Sequence, residues 1–281
     1  MSFARGAIPT PRHILAGATP YKITVPARPA NFLWPWTELS MWNNDSVGDC
    51  VTAEEAFAKS CKTPSGGVFI ADAEVKQWAT AHGVLNGANL QDVLQAMQSD
   101  GFQQSGDYFD DGGYTSIDYS QADLLQAAIS EGPVKIGIAA DQLQKTVEAF
   151  GSGNGWFATG YTADANEDHC VSLCGYGTIA WLAQQLNVTV PDGVDGTQPG
   201  YALFTWSSVG IIDAASLAAI IGEAWVRNPT TVVVPLNAPT PAPTPPAPVD
   251  PLAALIAQVQ QYGEQAVADV TAWWHQYIGT V

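Results

Sequence analysis

The dipeptide Gly132-Pro133 separates two kinds of residue pattern, and any fold for this chain has to satisfy both. Before it, apolar residues recur at helical spacing. Val51, Ala53, Ala56 and Phe57 mark a helix from Cys50 to about Lys62, ended by Pro64-Ser65-Gly66-Gly67. Ala73, Val75, Trp78 and Ala79 mark a second, and Leu90, Val93, Leu94 and Met97 a third, between Asn89 and Gly101. Leu124, Leu125, Ala128 and Ile129 mark a fourth, over 121–130, with Ser120 as its cap. After Gly132-Pro133 the period changes. Val134-Lys135-Ile136-Gly137-Ile138-Ala139 alternates and is rich in β-branched residues, and strands are also predicted at 169–176, 201–207 and 230–234. Between the last two, Asp213 opens a short helix through Leu217, Ile220 and Ile221. Helices first and strands later predicts an α+β fold, with a helical N-terminal half packed on an antiparallel sheet or partial barrel.

The flanks read differently. Residues 1–30 have no periodicity and predict an extended arm. Pro239-Thr240-Pro241-Ala242-Pro243-Thr244-Pro245-Pro246-Ala247-Pro248 is a semi-rigid polyproline spacer. Beyond it Leu252, Ile256, Val259, Ala266, Val270, Trp273 and Tyr277 share one face of an amphipathic helix of about 25 residues. The organisation is then an arm over 1–30, a folded domain over 31–235, a Pro-rich linker over 236–251 and a helix over 252–281. That helix is too polar to span a bilayer and too acidic for a membrane-surface helix. Docking on its own body, on a sister chain or on another protein all suit it.

Acidic residues outnumber basic ones 27 to 10, a net charge of −17, which argues against nucleic acid or an anionic membrane as partner. The N-terminus has no apolar run of signal-peptide length, and no stretch has the roughly 18 apolar residues of a membrane span. A soluble chain, cytoplasmic or virion-associated, is the expectation. Cys50, Cys61, Cys170 and Cys174 are too few for a disulfide scaffold and read as free thiols. They show no zinc-type spacing with His169, so no metal or cofactor is expected. Asp107 to Tyr119 reads as an acidic, glycine-rich loop, solvated rather than calcium-binding.

Two stretches carry chemistry. In Asn43-Asn44-Asp45-Ser46-Val47-Gly48-Asp49-Cys50 a turn-rich loop delivers Cys50 to the start of a helix, with Glu54 and Glu55 assigned to its first turn. The helix dipole there eases ionisation of a thiol, so Cys50 reads either as a nucleophile or as a small buried cysteine. Of four histidines, His13, His82 and His275 read as surface residues. His169 begins the strand Asp168-His169-Cys170-Val171-Ser172-Leu173-Cys174-Gly175-Tyr176-Gly177. A strand-end histidine meeting a distant cysteine is the layout of a cysteine hydrolase.

With these stretches the chain resembles the papain-like (C1-type) cysteine peptidases from about Trp34 to Val234. The Cys50 loop resembles the family's Asn-Gln-Gly-Ser-Cys-Gly-Ser-Cys, with Asn44 where the oxyanion glutamine stands, six residues before the cysteine. The His169 strand resembles Asp-His-Ala-Val-x-x-Val-Gly-Tyr-Gly, Glu131-Gly132-Pro133-Val134 resembles the family's Gly-Pro-Val turn, and Tyr201 to Ser207 resembles Tyr-Trp-Leu-Val-Lys-Asn-Ser. The Asn-Asp-x-x-Gly-Asp-Cys loop and the Thr205-Trp206 pair are closer still to compact papain-like proteins of bacteria and phages. The resemblance implies that Cys50 is the nucleophile and His169 its base. The Cys50 N–H and the Asn44 amide would form the oxyanion hole, and a peptide or protein would be the substrate. Trp206 stands where the family's orienting asparagine does. Its indole accepts no hydrogen bond from the imidazole Nδ1–H, which leaves Thr205, Ser207 or Asp168 to orient the ring and Trp206 to shield it. Two more departures are the small number of residues before the matching region, where the family has a long inhibitory propeptide, and the short span from Cys50 to Gly66-Gly67. A cysteine endopeptidase or amidase is one reading. The other is a non-catalytic protein of the same fold that acts through its C-terminal helix.

Overall fold

The computed structural model describes residues 3–21, 24–25, 27–150 and 155–236. The linker and C-terminal helix expected from the sequence fall outside these, apart from Leu236. In chain order the elements are β1 (Ala7–Ile8), α1 (Arg12–Gly17), β2 (Phe32–Leu33), α2 (Cys50–Ser60), α3 (Asp72–Ala81), β3 (Ala88–Asn89), α4 (Leu90–Met97), β4 (Phe102–Gln104), β5 (Asp107–Asp110) and β6 (Gly113–Ser116). Then follow α5 (Ala122–Glu131), β7 (Val134–Ile138), α6 (Asp141–Phe150), β8 (Phe157–Ala158), β9 (His169–Thr178), α7 (Ile179–Leu186), β10 (Pro199–Thr205), β11 (Ser208–Asp213), α8 (Ala214–Ile220), β12 (Ile221–Asn228) and β13 (Val232–Pro235).

The expected α+β division is present. One sheet runs β6-β12-β7-β9-β10-β11-β8, with β2 on the side of β9, and does not close into a barrel among the described residues. β9 pairs antiparallel with both β7 and β10, so it is the sheet's central strand and every residue from His169 to Gly177 is buried. Its alternation distributes side chains to two cores. Cys170 and Cys174, with Ala202 and Phe204 of β10, meet α2 on one face; Val171, Leu173 and Leu203 meet Leu124, Leu125 and Leu143 on the other.

Helix α2 is the contact between halves. All of its residues are buried, and Phe57 stacks flat on Phe204 at 4.0 Å. Its carboxylates do not lie in the first turn; Glu54 and Glu55 sit one turn further in and face the sheet. Glu54 binds Lys135 at 3.0 Å and Arg227 at 2.8 Å, and Glu55 binds Lys135 at 2.5 Å and Arg227 at 3.4 Å. A third cation, Lys59, meets Asp111 at 2.7 Å. Buried charges persist only when paired in this way.

Several elements differ from the sequence reading. Ser120 bonds Asp118, and Gln121 takes the cap position of α5. The stretch read as a solvated acidic loop forms β5 and β6, and its Asp110 and Asp111 are buried on Gly101 N–H and Lys59. The arm is no plain extension either, since β1 pairs with β3 and α1 follows it. Helices α6 and α7 and strands β11 and β12 were not anticipated. β11 is joined to β10 by the two-residue turn Trp206-Ser207, too short to register as a break in an apolar run.

Candidate active site

Cys50 is the first residue of α2, and His169 the first of β9. Since α2 lies across the face of β9, the two starts meet: the backbone of Cys170, one residue past His169, hydrogen-bonds the Cys50 thiol. The loop before α2 turns through Trp42 and Asn43 in left-handed conformation, anchored where the Trp42 indole donates to Ile70 O at 2.8 Å. Asn44, buried beside the thiol loop, gives one amide hydrogen to Val47 O at 3.2 Å.

Two groups fix the His169 ring, and a third fixes its backbone. The Thr205 hydroxyl lies 2.8 Å from Nε2. The Trp206 indole stacks on the imidazole with centroids 4.2 Å apart and planes 13° apart. Ile138 of β7 pairs with the His169 backbone. Among the three orienting candidates, Thr205 touches the ring. Asp168 turns its carboxylate to Arg5 and to the Ala140 N–H, and Ser207 lies half-buried at the hairpin turn. The bonded nitrogen is Nε2, where the sequence reading had assigned Nδ1. With Nε2–H donating to Thr205, Nδ1 keeps the lone pair of a base, and Nδ1 has no hydrogen-bond partner among the described residues. The hairpin explains how Trp206 gets there. Trp206 and Ser207 both have positive φ (41° and 58°), as a two-residue turn between twisted strands requires. Non-glycine residues there are strained, and the ring stack holds the strain in place.

Electrostatically the site is at rest. Burial pushes the Cys50 thiol up to about 11, against the backbone hydrogen bonds from Cys170 and Gly6, where helix-start position alone had predicted easier ionisation. Burial, helped by the Arg5 charge, pulls the His169 imidazole down to about 3. Both groups are therefore neutral at pH 7. Asp49, which caps α2 by position but makes no side-chain cap bond, is pushed up to about 8, chiefly by burial. The sequence reading missed Asp49, and it missed Arg5 and Gly6, which reach the site from the arm. Gly66-Gly67 closes the end of α2 through Gly67 N–H to Lys59 O, and the strand bordering the arm beside the site is β3. All four cysteines are free.

No family model matches the sequence, and no curated relative matches it. Solved structures do resemble it. A chain from a study of the mite allergens Blo t 1 and Der p 1 superimposes with a TM-score of 0.54 at 16% identity, covering 76% of this chain and 75% of that one. Procathepsin L2 from the larval midgut of Tenebrio molitor gives 0.52 at 17%, covering 80% and 78%. Bromelain from Ananas comosus gives 0.50 at 12%, covering 71% and 99%. At such identities the likeness concerns fold, and the fold of this chain is that of the papain-like cysteine proteases.

Proposed function

We propose that the chain is a cysteine peptidase or amidase acting through Cys50 and His169. The observation carrying this reading is the ring of His169, held at Nε2 by Thr205 and roofed by Trp206, with Nδ1 unengaged and the Cys50 thiol at the adjoining backbone. In the reaction the thiol proton passes to Nδ1 as Sγ bonds to the carbonyl carbon of a peptide. The developing oxyanion is met by the Cys50 N–H, which α2 itself leaves unpaired, and by the second amide hydrogen of Asn44. The imidazolium then protonates the leaving amine as the C–N bond breaks, leaving a thioester that water hydrolyses. Thr205 does for the ring what the orienting asparagine does in the family that the sequence resembles, accepting one hydrogen bond without adding charge. The Asn-Asp-x-x-Gly-Asp-Cys loop inclines us to group the chain with compact papain-like proteins of bacteria and phages.

The closed, neutral site favours the second reading, a non-catalytic protein of this fold that acts through the C-terminal helix expected from the sequence. Hydrolysis separates the two. The intact chain, Cys50→Ser and His169→Ala are each incubated with an unfolded protein substrate, and new termini are read by mass spectrometry. Cleavage by the intact chain and by neither variant supports the peptidase. No cleavage by any of them, with Arg5→Glu added to break the Arg5–Asp168 pair beside His169, supports the second reading.

A further inference from the structure

Helix α2 and strand β9 pack face to face, and each brings two buried, free cysteines to the contact. From Cys50 to Cys61 is eleven residues, roughly 16 Å of helical rise. From Cys170 to Cys174 is four residues, roughly 13 Å of extended strand. The near match sets the thiols opposite one another in two pairs. Cys170 feels the charge of Cys50, and Cys61 that of Cys174. At the first pair the contact is direct, because the Cys170 N–H donates to the Cys50 thiol. That nitrogen is one bond from the Cys170 Cα, which brings the two residues within reach of a disulfide. The Cys170 thiol itself faces the first turns of α2, among Lys135, Glu54 and Cys50.

We propose that Cys50 and Cys170 are a redox switch: a peroxide oxidises Cys50, Cys170 closes a disulfide with it, and the site stays off until a thiol reductant reopens the bond. The proposal rests on reading Cys50 as the nucleophile of the site. In the first step Cys50 Sγ attacks one peroxide oxygen while its proton passes to His169 Nδ1. The O–O bond breaks, and the departing hydroxide takes that proton and leaves as water, with Cys50 now a sulfenic acid. In the second step Cys170 Sγ attacks the sulfenic sulfur. The S–O bond breaks, and the hydroxyl leaves with the Cys170 proton as a second water. Two thiols are oxidised to one disulfide, and one peroxide is reduced to two waters. A small neutral oxidant suits a thiol that is 1% exposed. Burial raises the Cys170 thiol, but the Lys135 ammonium works against that and favours the attacking thiolate. The other pair, Cys61 and Cys174, is fully buried and sits at the far end of α2 from His169, so it stays reduced.

The experiment treats the intact chain with hydrogen peroxide, blocks the remaining thiols with iodoacetamide in denaturant and maps the peptides by mass spectrometry without reduction. The expected product is a single link, Cys50 to Cys170, with Cys61 and Cys174 alkylated, and dithiothreitol restores all four thiols. In Cys170→Ala the link is lost and sulfinic acid at Cys50 rises at least tenfold. Cys50 reaching the sulfinic acid in the intact chain as fast as in Cys170→Ala overturns the switch. So does a peroxide treatment that leaves Cys50 a thiol or links it to any other cysteine. The map of the intact chain decides even where Cys170→Ala does not fold. A Cys50–Cys170 link in a chain that hydrolyses nothing when reduced keeps the redox pair and removes the peptidase reading. Hydrolysis by the reduced chain, lost to peroxide with no such link, does the reverse.

Discussion

At the scale of single residues, the account depends on Thr205, one of the three orienting candidates that the sequence offered in place of the family's asparagine. Thr205 offers His169 one uncharged acceptor at 2.8 Å, so Thr205→Val should leave the ring roofed by Trp206 but free to turn. Peptide hydrolysis, measured in an Arg5→Glu background, should fall in kcat by about tenfold to a hundredfold with KM little changed, less than follows loss of a charged orienting group. Steady-state kinetics check this. Ser207 gives a prediction of opposite sign. Its φ of 58° is left-handed, where glycine is at ease, so Ser207→Gly should stabilise the fold by about 1 kcal/mol in a denaturant titration. The pair itself was legible in the sequence, because a histidine opening an alternating apolar run and a cysteine opening a helix are both local signals. Nothing local showed which ring nitrogen would be bonded, or that burial would overrule the helix dipole at Cys50.

At the scale of elements, α2 holds the nucleophile by being clamped rather than merely packed. Lys135 and Arg227 reach it from β7 and β12, strands more than 70 residues away in sequence, and bind both of its carboxylates. Burial works against the Lys135 ammonium, but the charges of Glu54 and Glu55 prevail and hold it above its usual range. Lys135→Met leaves those carboxylates short of a partner and should cost about 3–5 kcal/mol in chemical denaturation. This arrangement could not be read from the sequence. Adjacent glutamates early in a helix look like solvated charges, and their partners are supplied by tertiary structure alone. Asp49 adds a pH dependence. Its carboxyl is raised to about 8 in the fold against about 4 unfolded, so the fold binds the extra proton and loses stability as pH rises between those values. Asp49→Asn should flatten that decline, which reaches roughly 1.4 kcal/mol per pH unit at its steepest. Melting curves from pH 4 to 9 would show it, and an unchanged slope would place the cost elsewhere.

At the scale of the whole molecule, a helical half and a sheet half meet along α2 and β9, with the site where those two elements begin and residues 3–10 laid over it. The order of periodicities predicted the two halves. The crossing of the arm was invisible because its contacts join residue 4 to 44 and residue 7 to 168, with no periodicity of their own. The long apolar segment after Trp206 was similarly opaque, since a two-residue turn inside buried strands leaves little polar punctuation. Among the described residues no helix is long and apolar enough to cross a membrane. The central claim is that Cys50 owes its reactivity to His169. It is tested most directly by the pH dependence of Cys50 alkylation in Arg5→Glu and in Arg5→Glu with His169→Ala. The account predicts fast labelling near neutral pH that falls at least tenfold when the imidazole is removed. Equal rates in the two chains, both rising only toward alkaline pH, would contradict it.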